Sequence, residues 1–228
     1  MAVRGVLLDF YGTVVEDDDH TVAALCADVG ASVHAPAEVV ARVWTAAWRA
    51  LCAESTGASF RTQRALARES LAMTLRELGS PLDVDPLHAR QVARWAEPRA
   101  YDDAVALLAE LRRRDLPVCV VSDVDDADLE ASIDRAGLDL PRRVTSQQAR
   151  AYKPDARPFL LALDLLGLEA ADVVHVGDSV SSDVDGAAAL GIRAVWVDRR
   201  GRGTAQAERA TWAVPDLYGL GAVLAAAG

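Results

Sequence analysis

Residues 3–13 read VRGVLLDFYGT, and this stretch decides the fold class of the chain. Its apolar part, Val3 to Phe10, is short, partly β-branched and ended by Tyr11-Gly12, which is typical of a buried strand. Four more runs of this kind come much later in the sequence. We predict a strand in each of them: Pro117 to Ser122, Arg143 to Ser146, Val173 to Gly177 and Ala194 to Val197.

Helical patterns lie between these runs. Three helices are predicted in the second half of the chain: Tyr101 to Arg114, Asp155 to Leu166 and Asp183 to Leu190. Asp155 is a suitable N-cap, and Gly167 and Gly191 end the second and third helices. A last short strand and helix are expected between Trp212 and Gly228. Strands that alternate with helices predict an α/β fold with a doubly wound parallel sheet.

One long segment breaks this alternation. Between Glu16 and Arg99 no convincing strand occurs, and amphipathic helical stretches such as Ala37 to Ala53 and Thr62 to Leu78 dominate. We interpret this segment as a helical cap domain inserted after the first strand. The predicted organisation is a core made of residues 1–15 and 100–228 and a cap made of residues 16–99.

The composition of the chain indicates which classes of binding partner are unfavourable. The net charge of −10 makes nucleic acid and anionic membrane surfaces unfavourable partners. The chain lacks an apolar run of about 18 residues, so we expect no membrane span. The three cysteines show no metal-binding spacing, so free thiols in a cytoplasmic protein are expected. We expect a monomer or a homodimer.

Polar residues follow four of the predicted strands. They are Asp9 and Thr13 after the first strand, Ser122 and Asp123 after the second, Lys153 beyond the third, and Asp178 and Asp183 after the fourth. In open α/β sheets the ligand lies at the carboxyl ends of the strands, so these side chains should converge on one crevice. Lys153 is also the only lysine, whereas lysine and arginine together number 24, which favours a specific role for its compact ammonium.

Carboxylates held this close together would repel each other. A divalent cation removes the conflict, and Mg²⁺ prefers oxygen ligands. A carboxylate beside such a metal can attack phosphorus and form an aspartyl phosphate. The lysine would then neutralise charge on the transferring group, and the serine hydroxyl would hold its oxygens.

The four blocks, in this order, resemble the four motifs of the haloacid dehalogenase (HAD) superfamily, in its subgroup with a helical cap after the first motif. The resemblance covers almost the whole chain and implies a Rossmann-like core, a mobile cap and an aspartate nucleophile. It implies the following roles: Asp9 as nucleophile and metal ligand, the main-chain carbonyl of Tyr11 as metal ligand, Ser122 as phosphoryl ligand with Thr13 and Asp123 beside it, Lys153 as partner of Asp9, and Asp178 and Asp183 as Mg²⁺ ligands.

Tyr11 departs from the phosphatase pattern, in which a second aspartate stands two residues after the nucleophile as the acid–base. A phenol is a poor base at neutral pH. Tyrosine at this place is similar to the 2-haloacid dehalogenases, which use no metal. Those enzymes have neutral residues near the position of Asp178, however, and a cap arginine just after a tryptophan. Here Trp44 is followed by Thr45, with Arg49 as a possible substitute.

Three hypotheses follow from these residues. The first is a Mg²⁺-dependent phosphatase of a small phosphorylated metabolite, with Tyr11 in place of the catalytic acid–base. The second is a 2-haloacid dehalogenase or another carbon-centred hydrolase. The third is a weakly catalytic protein that binds a phosphorylated ligand. We interpret the acidic run at Asp17 to Asp19 as a solvated hinge from which one residue could reach the site, and His175 as a packed core residue.

Overall fold

The structure of the chain, a computed structural model, describes residues 3–203 and 207–226. Within these ranges six parallel strands form one sheet in the order β3-β2-β1-β4-β5-β6. The strands are β1 Gly5–Leu8, β2 Val118–Ser122, β3 Arg143–Thr145, β4 Val173–Gly177, β5 Arg193–Val197 and β6 Trp212–Val214. This order is that of a doubly wound sheet, so the predicted Rossmann-like α/β fold is confirmed.

The central strands are apolar because both faces of the sheet are covered. In β1 the side chains of Val6 and Leu8 enter one hydrophobic cluster and Leu7 enters the other, as the period of two requires. All four residues of β1 and all five of β4 are buried. The two clusters form the core of the sheet domain, one on each face.

The core helices lie on these two faces. They are α5 Asp102–Arg113, α6 Asp126–Arg135, α7 Ser146–Ala149, α8 Ala156–Leu166, α9 Asp185–Ala189 and α10 Leu220–Ala226. The predicted caps of α8 are present, since the Asp155 side chain accepts from Arg157 N and Gly167 has a φ of 64°. The helix predicted from Asp183 begins earlier, with a π-helical turn at Val180–Val184, because Ser179 caps the chain there.

The segment predicted as a cap consists of helices with a hydrophobic core of their own. The helices are α1 Asp19–Val33, α2 Ala37–Glu54, α3 Gln63–Leu78 and α4 Val84–Trp95. Leu25, Val40, Trp44 and Leu71 are buried together between them. Every residue from 16 to 99 is described, and this stretch contains no strand. Whether it is an independent domain with these boundaries stays a prediction.

The cap rests on the core through polar contacts beside the ends of the strands. The carboxylate of Asp125 accepts from the backbone N–H groups of Gln63 and Arg64, at 2.7 and 3.1 Å, at the start of α3. The guanidinium of Arg64 forms a bidentate ion pair with Asp128. These contacts hold α3 over the carboxyl edge of the sheet. Among the described helices, none combines the length and the apolar character needed to cross a bilayer.

Candidate active site

The carboxyl ends of β1, β2 and β4 open into a cavity of about 360 Å³ between the sheet and the cap. Most of the residues predicted from the strand ends line it. They are Asp9, Tyr11, Ser122, Asp123, Lys153, Asp178 and Asp183. The cavity lies where the strand order reverses beside β1, which is where doubly wound sheets bind ligands.

Lys153 organises the floor of the cavity. Its buried Nζ donates to Asp9 Oδ1 at 2.7 Å, to Asp183 Oδ1 at 2.6 Å and to the carbonyl oxygen of Val121 at 3.1 Å. These three bonds use all three donors of the ammonium. Burial opposes the charge, but Asp183, Asp9 and Asp123 outweigh it and raise the pKa of Lys153. The lysine is therefore held positive beside the predicted nucleophile.

Asp183 is the most firmly held carboxylate of the site. Its Oδ1 accepts from Lys153 and lies 3.0 Å from His175 Nε2, and its Oδ2 accepts from the backbone N–H of Ser179 at 2.9 Å. Although burial opposes it, Lys153 and His175 lower the pKa of this carboxyl group. Gly177 leaves the space that the side chain needs, because a Cβ there would lie 2.3 Å from Asp183 Cγ.

His175 therefore has a role that the sequence pattern did not indicate. It is fully buried in β4, as expected, but it contacts Asp183 rather than apolar neighbours alone. Its ring also packs edge-on against Phe159, with the ring centroids 5.0 Å apart. No spacing in the sequence signals this pair, because the π-helical turn after β4 brings Asp183 back to the strand.

Asp9, Asp178 and Asp183 form an acidic cluster. One carboxylate oxygen from each lies within 4.8 Å of the others. Burial raises the pKa of Asp178 to about 7, with further contributions from Asp9 and Asp183. Burial also raises the pKa of Asp9, against the opposing effect of Lys153. Gly12, at a φ of +85°, permits the close approach, since a Cβ there would lie 2.9 Å from Asp178 Cγ.

The two oxygens of Asp9 differ. Oδ1 accepts from Lys153, whereas Oδ2 is buried and accepts no hydrogen bond from any described residue. An unpartnered buried carboxylate oxygen is costly unless something binds it. Together with the repulsion in the acidic cluster, it fits a divalent cation or a reacting group at this point.

The remaining predicted residues lie in different surroundings. The hydroxyl of Tyr11 is 2.7 Å from Ser132 Oγ, and burial raises the pKa of this phenol, so it is a poor base. Burial raises the pKa of Asp123 to about 7, and this carboxylate accepts from the backbone N–H of Lys153. Thr13 is fully buried and does not line the cavity, and its Oγ1 has no hydrogen-bond partner among the described residues.

The cap covers the cavity mostly with apolar and aromatic side chains. They include Val22, Ala41, Trp44, Trp48, Ala67 and Trp95, with Asp18, Gln63, Ser70 and Gln91 as polar neighbours. Asp18 is the residue of the acidic hinge that reaches the site. No arginine lines the cavity among the described residues, and Arg49 is exposed beside a neighbouring opening.

Comparison with known proteins finds that this chain is similar to one family of hydrolases. A family model described as "Hydrolase: haloacid dehalogenase-like hydrolase" matches residues 3–191. A phosphoserine phosphatase of Thermus thermophilus is 38% identical over 122 residues, which cover 50% of this chain but only 49% of that protein. An (S)-2-haloacid dehalogenase 4A of Burkholderia cepacia is 28% identical over 208 residues, covering 88% of this chain and 85% of the relative.

The three-dimensional similarity extends over nearly the full length. A solved dehalogenase structure matches with a TM-score of 0.79 and 26% identity, and the match covers 97% of this chain and 96% of that one. The relatives thus include both phosphatases and dehalogenases.

Proposed function

This chain belongs to the haloacid dehalogenase-like hydrolases, and we propose that it is a Mg²⁺-dependent phosphatase of small phosphorylated molecules. The observation that carries the proposal is the acidic cluster of Asp9, Asp178 and Asp183, whose oxygens lie within 4.8 Å of one another. Burial, together with repulsion from Asp9 and Asp183, opposes the ionisation of Asp178, and a divalent cation would relieve both effects.

The residues present fit a bound Mg²⁺ ion. Asp9, Asp178 and Asp183 would hold it, and the predicted fourth ligand is the main-chain carbonyl of Tyr11. When bound, the ion would neutralise charge on the phosphoryl oxygens and make phosphorus easier to attack. The absence of a cap arginine in the described lining agrees with this proposal and not with the arginine-dependent dehalogenases.

The proposed reaction uses the free oxygen of Asp9. Oδ2 attacks phosphorus, the bond from phosphorus to the leaving oxygen breaks, and a phosphoaspartate forms. Lys153 keeps the other oxygen of Asp9 in place at 2.7 Å, so the nucleophile has a fixed orientation. The Ser122 hydroxyl would bind a phosphoryl oxygen. Water then attacks phosphorus, which releases inorganic phosphate and restores Asp9.

Tyr11 limits which leaving groups depart readily. Its hydroxyl contacts Ser132, and its raised pKa makes it a poor acid as well as a poor base. Aryl and acyl phosphates need no proton on the leaving oxygen, whereas alkyl phosphates do. We therefore expect activity skewed toward aryl and acyl phosphates, with slow breakdown of the phosphoaspartate.

A 2-haloacid dehalogenase is the second candidate. The full-length similarity to such enzymes favours it, as does Tyr11. In that reaction Asp9 would attack the carbon that bears the halogen, the carbon–halogen bond would break, and water would hydrolyse the resulting ester. A protein that binds a phosphorylated ligand and turns it over weakly is the remaining alternative.

A substrate screen with and without Mg²⁺ tests the proposal. It should compare aryl, acyl and alkyl phosphates with 2-haloacids, for the parent and for Asp178→Asn. We expect phosphate release that requires Mg²⁺ and is lost in Asp178→Asn. The matched control is Asp164→Asn, an exposed carboxylate of α8, which should behave like the parent. Metal-independent halide release without phosphate release would overturn the proposal.

A further inference from the structure

The hinge carries four consecutive acidic residues, and they differ in their partners. Glu16 pairs with Arg94 at 3.1 Å, and Asp17 and Asp19 both pair with Arg200. Asp18 pairs with no cation among the described residues, although it is half-buried and lines the cavity. A carboxylate that is shielded from water and lacks a counter-charge favours a positively charged ligand.

Hydrogen bonds fix the orientation of this carboxylate. Its Oδ2 accepts from Gln91 Nε2 at 2.9 Å and from Trp95 Nε1 at 2.8 Å. Both partners are N–H donors, so Oδ2 accepts in both contacts and Oδ1 is the oxygen left for a ligand. Asp18 can therefore bind a cation through Oδ1.

The side chain of Gln91 provides a hydrogen-bond acceptor that receives no hydrogen bond from the described residues. Because a carboxylate only accepts, Nε2 of Gln91 must face Asp18, and Oε1 must point elsewhere. Gln91 is only 8% exposed, it lines the cavity, and its Oε1 has no hydrogen-bond partner among the described residues. Oε1 of Gln63, another lining residue, is in the same state. The cap side of the cavity therefore presents acceptors that receive no hydrogen bond from the described residues. A ligand with N–H or O–H groups could donate to them.

The tryptophans of the cavity favour the same kind of ligand. The indole N–H of Trp44 donates to Ser70 Oγ at 2.9 Å, and that of Trp95 donates to Asp18. Both polar edges are used within the cap, so these side chains present carbon surface to the cavity. Aromatic faces attract cations and pack against flat rings.

The negative charge on the cap side of the cavity disfavours a negatively charged leaving group. Of the lining residues contributed by the cap, Asp18 is the charged one, and Lys153 is engaged by Asp9 and Asp183. A leaving group with a carboxylate or a second phosphate would face Asp18 without a counter-charge. Such a substrate would bind poorly.

Resting on the phosphatase function proposed above, we propose that Asp18 and Gln91 select a leaving group that bears a protonated amine. The substrate class is an amine-bearing phosphate ester whose phosphoryl group lies at Asp9 and whose ammonium lies at the hinge. The ammonium supplies the charge that Asp18 lacks and the N–H donors that Gln91 Oε1 and Gln63 Oε1 lack. Its aromatic or aliphatic body packs between the tryptophans.

Three phenyl phosphates with the same framework test the proposal. Their para substituents are aminomethyl, which is cationic, methyl, which is neutral and of similar size, and carboxylate. We expect kcat/KM to be about tenfold higher for the aminomethyl compound than for the methyl compound and lowest for the carboxylate, because a hydrogen bond between charged groups contributes roughly this much. Asp18→Asn should bring the aminomethyl-to-methyl ratio close to one. The matched control, Asp17→Asn, removes a carboxylate that pairs with Arg200, and it should keep the ratio of the parent.

A binding measurement separates this inference from the phosphatase function. We would titrate 4-(aminomethyl)phenol and 4-methylphenol into the parent chain in the presence of saturating Mg²⁺, so that the ammonium does not bind the acidic cluster instead, and follow tryptophan fluorescence. About tenfold tighter binding of the amine, without any phosphoryl transfer, supports the cation site even if no phosphate ester is hydrolysed. Equal affinities of the parent for the two phenols overturn the site, even if hydrolysis is found. Since this comparison uses the parent chain, it does not depend on the folding of any variant.

Discussion

The cavity has two ends that are built in different ways. At the core end, Asp9 and Asp178 follow directly on β1 and β4, and Asp183 lies in the π-helical turn after β4. Hydrogen bonds from Lys153 hold Asp9 and Asp183, and the backbone N–H of Ser179 also holds Asp183. At the cap end, Asp18 and the tryptophans come from a hinge and from separate helices, and their positions depend on helix packing. We therefore expect the core end to determine the reaction and the cap end to determine which molecule undergoes it.

If the core end carries out the reaction, substitutions of its residues should stop turnover. Asp9→Asn removes the attacking oxygen, so we expect turnover of phosphate esters to fall by about 10⁴-fold or more. Steady-state phosphate release measures this loss, and circular dichroism checks that the fold is kept. Retention of more than a tenth of the parent activity would exclude Asp9 as the nucleophile.

Asp178 should affect metal binding and its pH dependence. Asp178→Asn should weaken Mg²⁺ binding by at least about 10-fold, as measured by calorimetric titration, because changing even an outer-shell partner of a metal ligand typically costs about 10–100-fold. The folded-state pKa of Asp178 is raised to about 7 without metal, so the proton competes with Mg²⁺ below that pH. Mg²⁺ affinity of the parent should therefore rise as the pH increases through about 7, and this dependence should weaken in the variant. Equal affinity in the two proteins would sink the metal assignment.

The same raised pKa has a consequence for stability. Between the ordinary pKa of an aspartate and about pH 7, folded metal-free protein binds more protons at Asp178 than the unfolded chain does. Its contribution to the free energy of unfolding should then fall as the pH increases through this window. Saturating Mg²⁺ should remove the decline, because the ion binds the ionised carboxylate. Urea denaturation at pH 5 and pH 7.5, with and without Mg²⁺, measures the effect. The prediction would be contradicted if the metal-free parent were more stable at pH 7.5 than at pH 5 and if Asp178→Asn showed the same dependence on pH.

Tyr11 lies between the two ends of the cavity. Its substitution should have a smaller effect than those at the core end, and it should raise turnover rather than lower it. Tyr11→Asp would supply a carboxyl group beside the leaving oxygen, so we expect turnover of alkyl phosphates to rise by up to about 10²-fold. Aryl phosphates, which need no proton, should gain little. The same change should harm a dehalogenase by placing a charge beside its apolar substrate. No gain on any alkyl phosphate would show that Tyr11 does not occupy the place of the missing acid.

The smallest expected effect is a change in cap motion. The backbone N–H of Glu16 donates to the carbonyl of Arg99 at 2.9 Å, so the two connections between cap and core lie side by side. We predict that hydrogen exchange at residues 14–19 and 97–101 slows when a phosphate analogue binds, as expected for lid closure. Amides of β4 serve as the internal control. Unchanged exchange at saturating ligand would count against a mobile cap.

The two ends also differ in how far the sequence predicts them. Residues that follow a strand, such as Asp9 and Asp178, can be placed from hydrophobic runs alone, because parallel strands end at one edge of a sheet. The partner of His175 could not be placed in this way, since it depends on a π-helical turn. Asp18 looks like its acidic neighbours in the sequence. Only the folded cap shows that Arg94 and Arg200 pair with those neighbours and leave Asp18 at the cavity.

The central claim is that Asp9 accepts a phosphoryl group with the help of Mg²⁺. Rapid quenching of the parent chain with an aryl phosphate, followed by mass spectrometry, tests it most directly. We predict that one phosphoryl group per chain is found on Asp9, that chelation of the metal prevents this, and that Asp9→Asn shows none. The slow breakdown expected with Tyr11 should make the intermediate easy to trap. An unmodified Asp9 in chains that release halide from a 2-haloacid without metal would contradict the account.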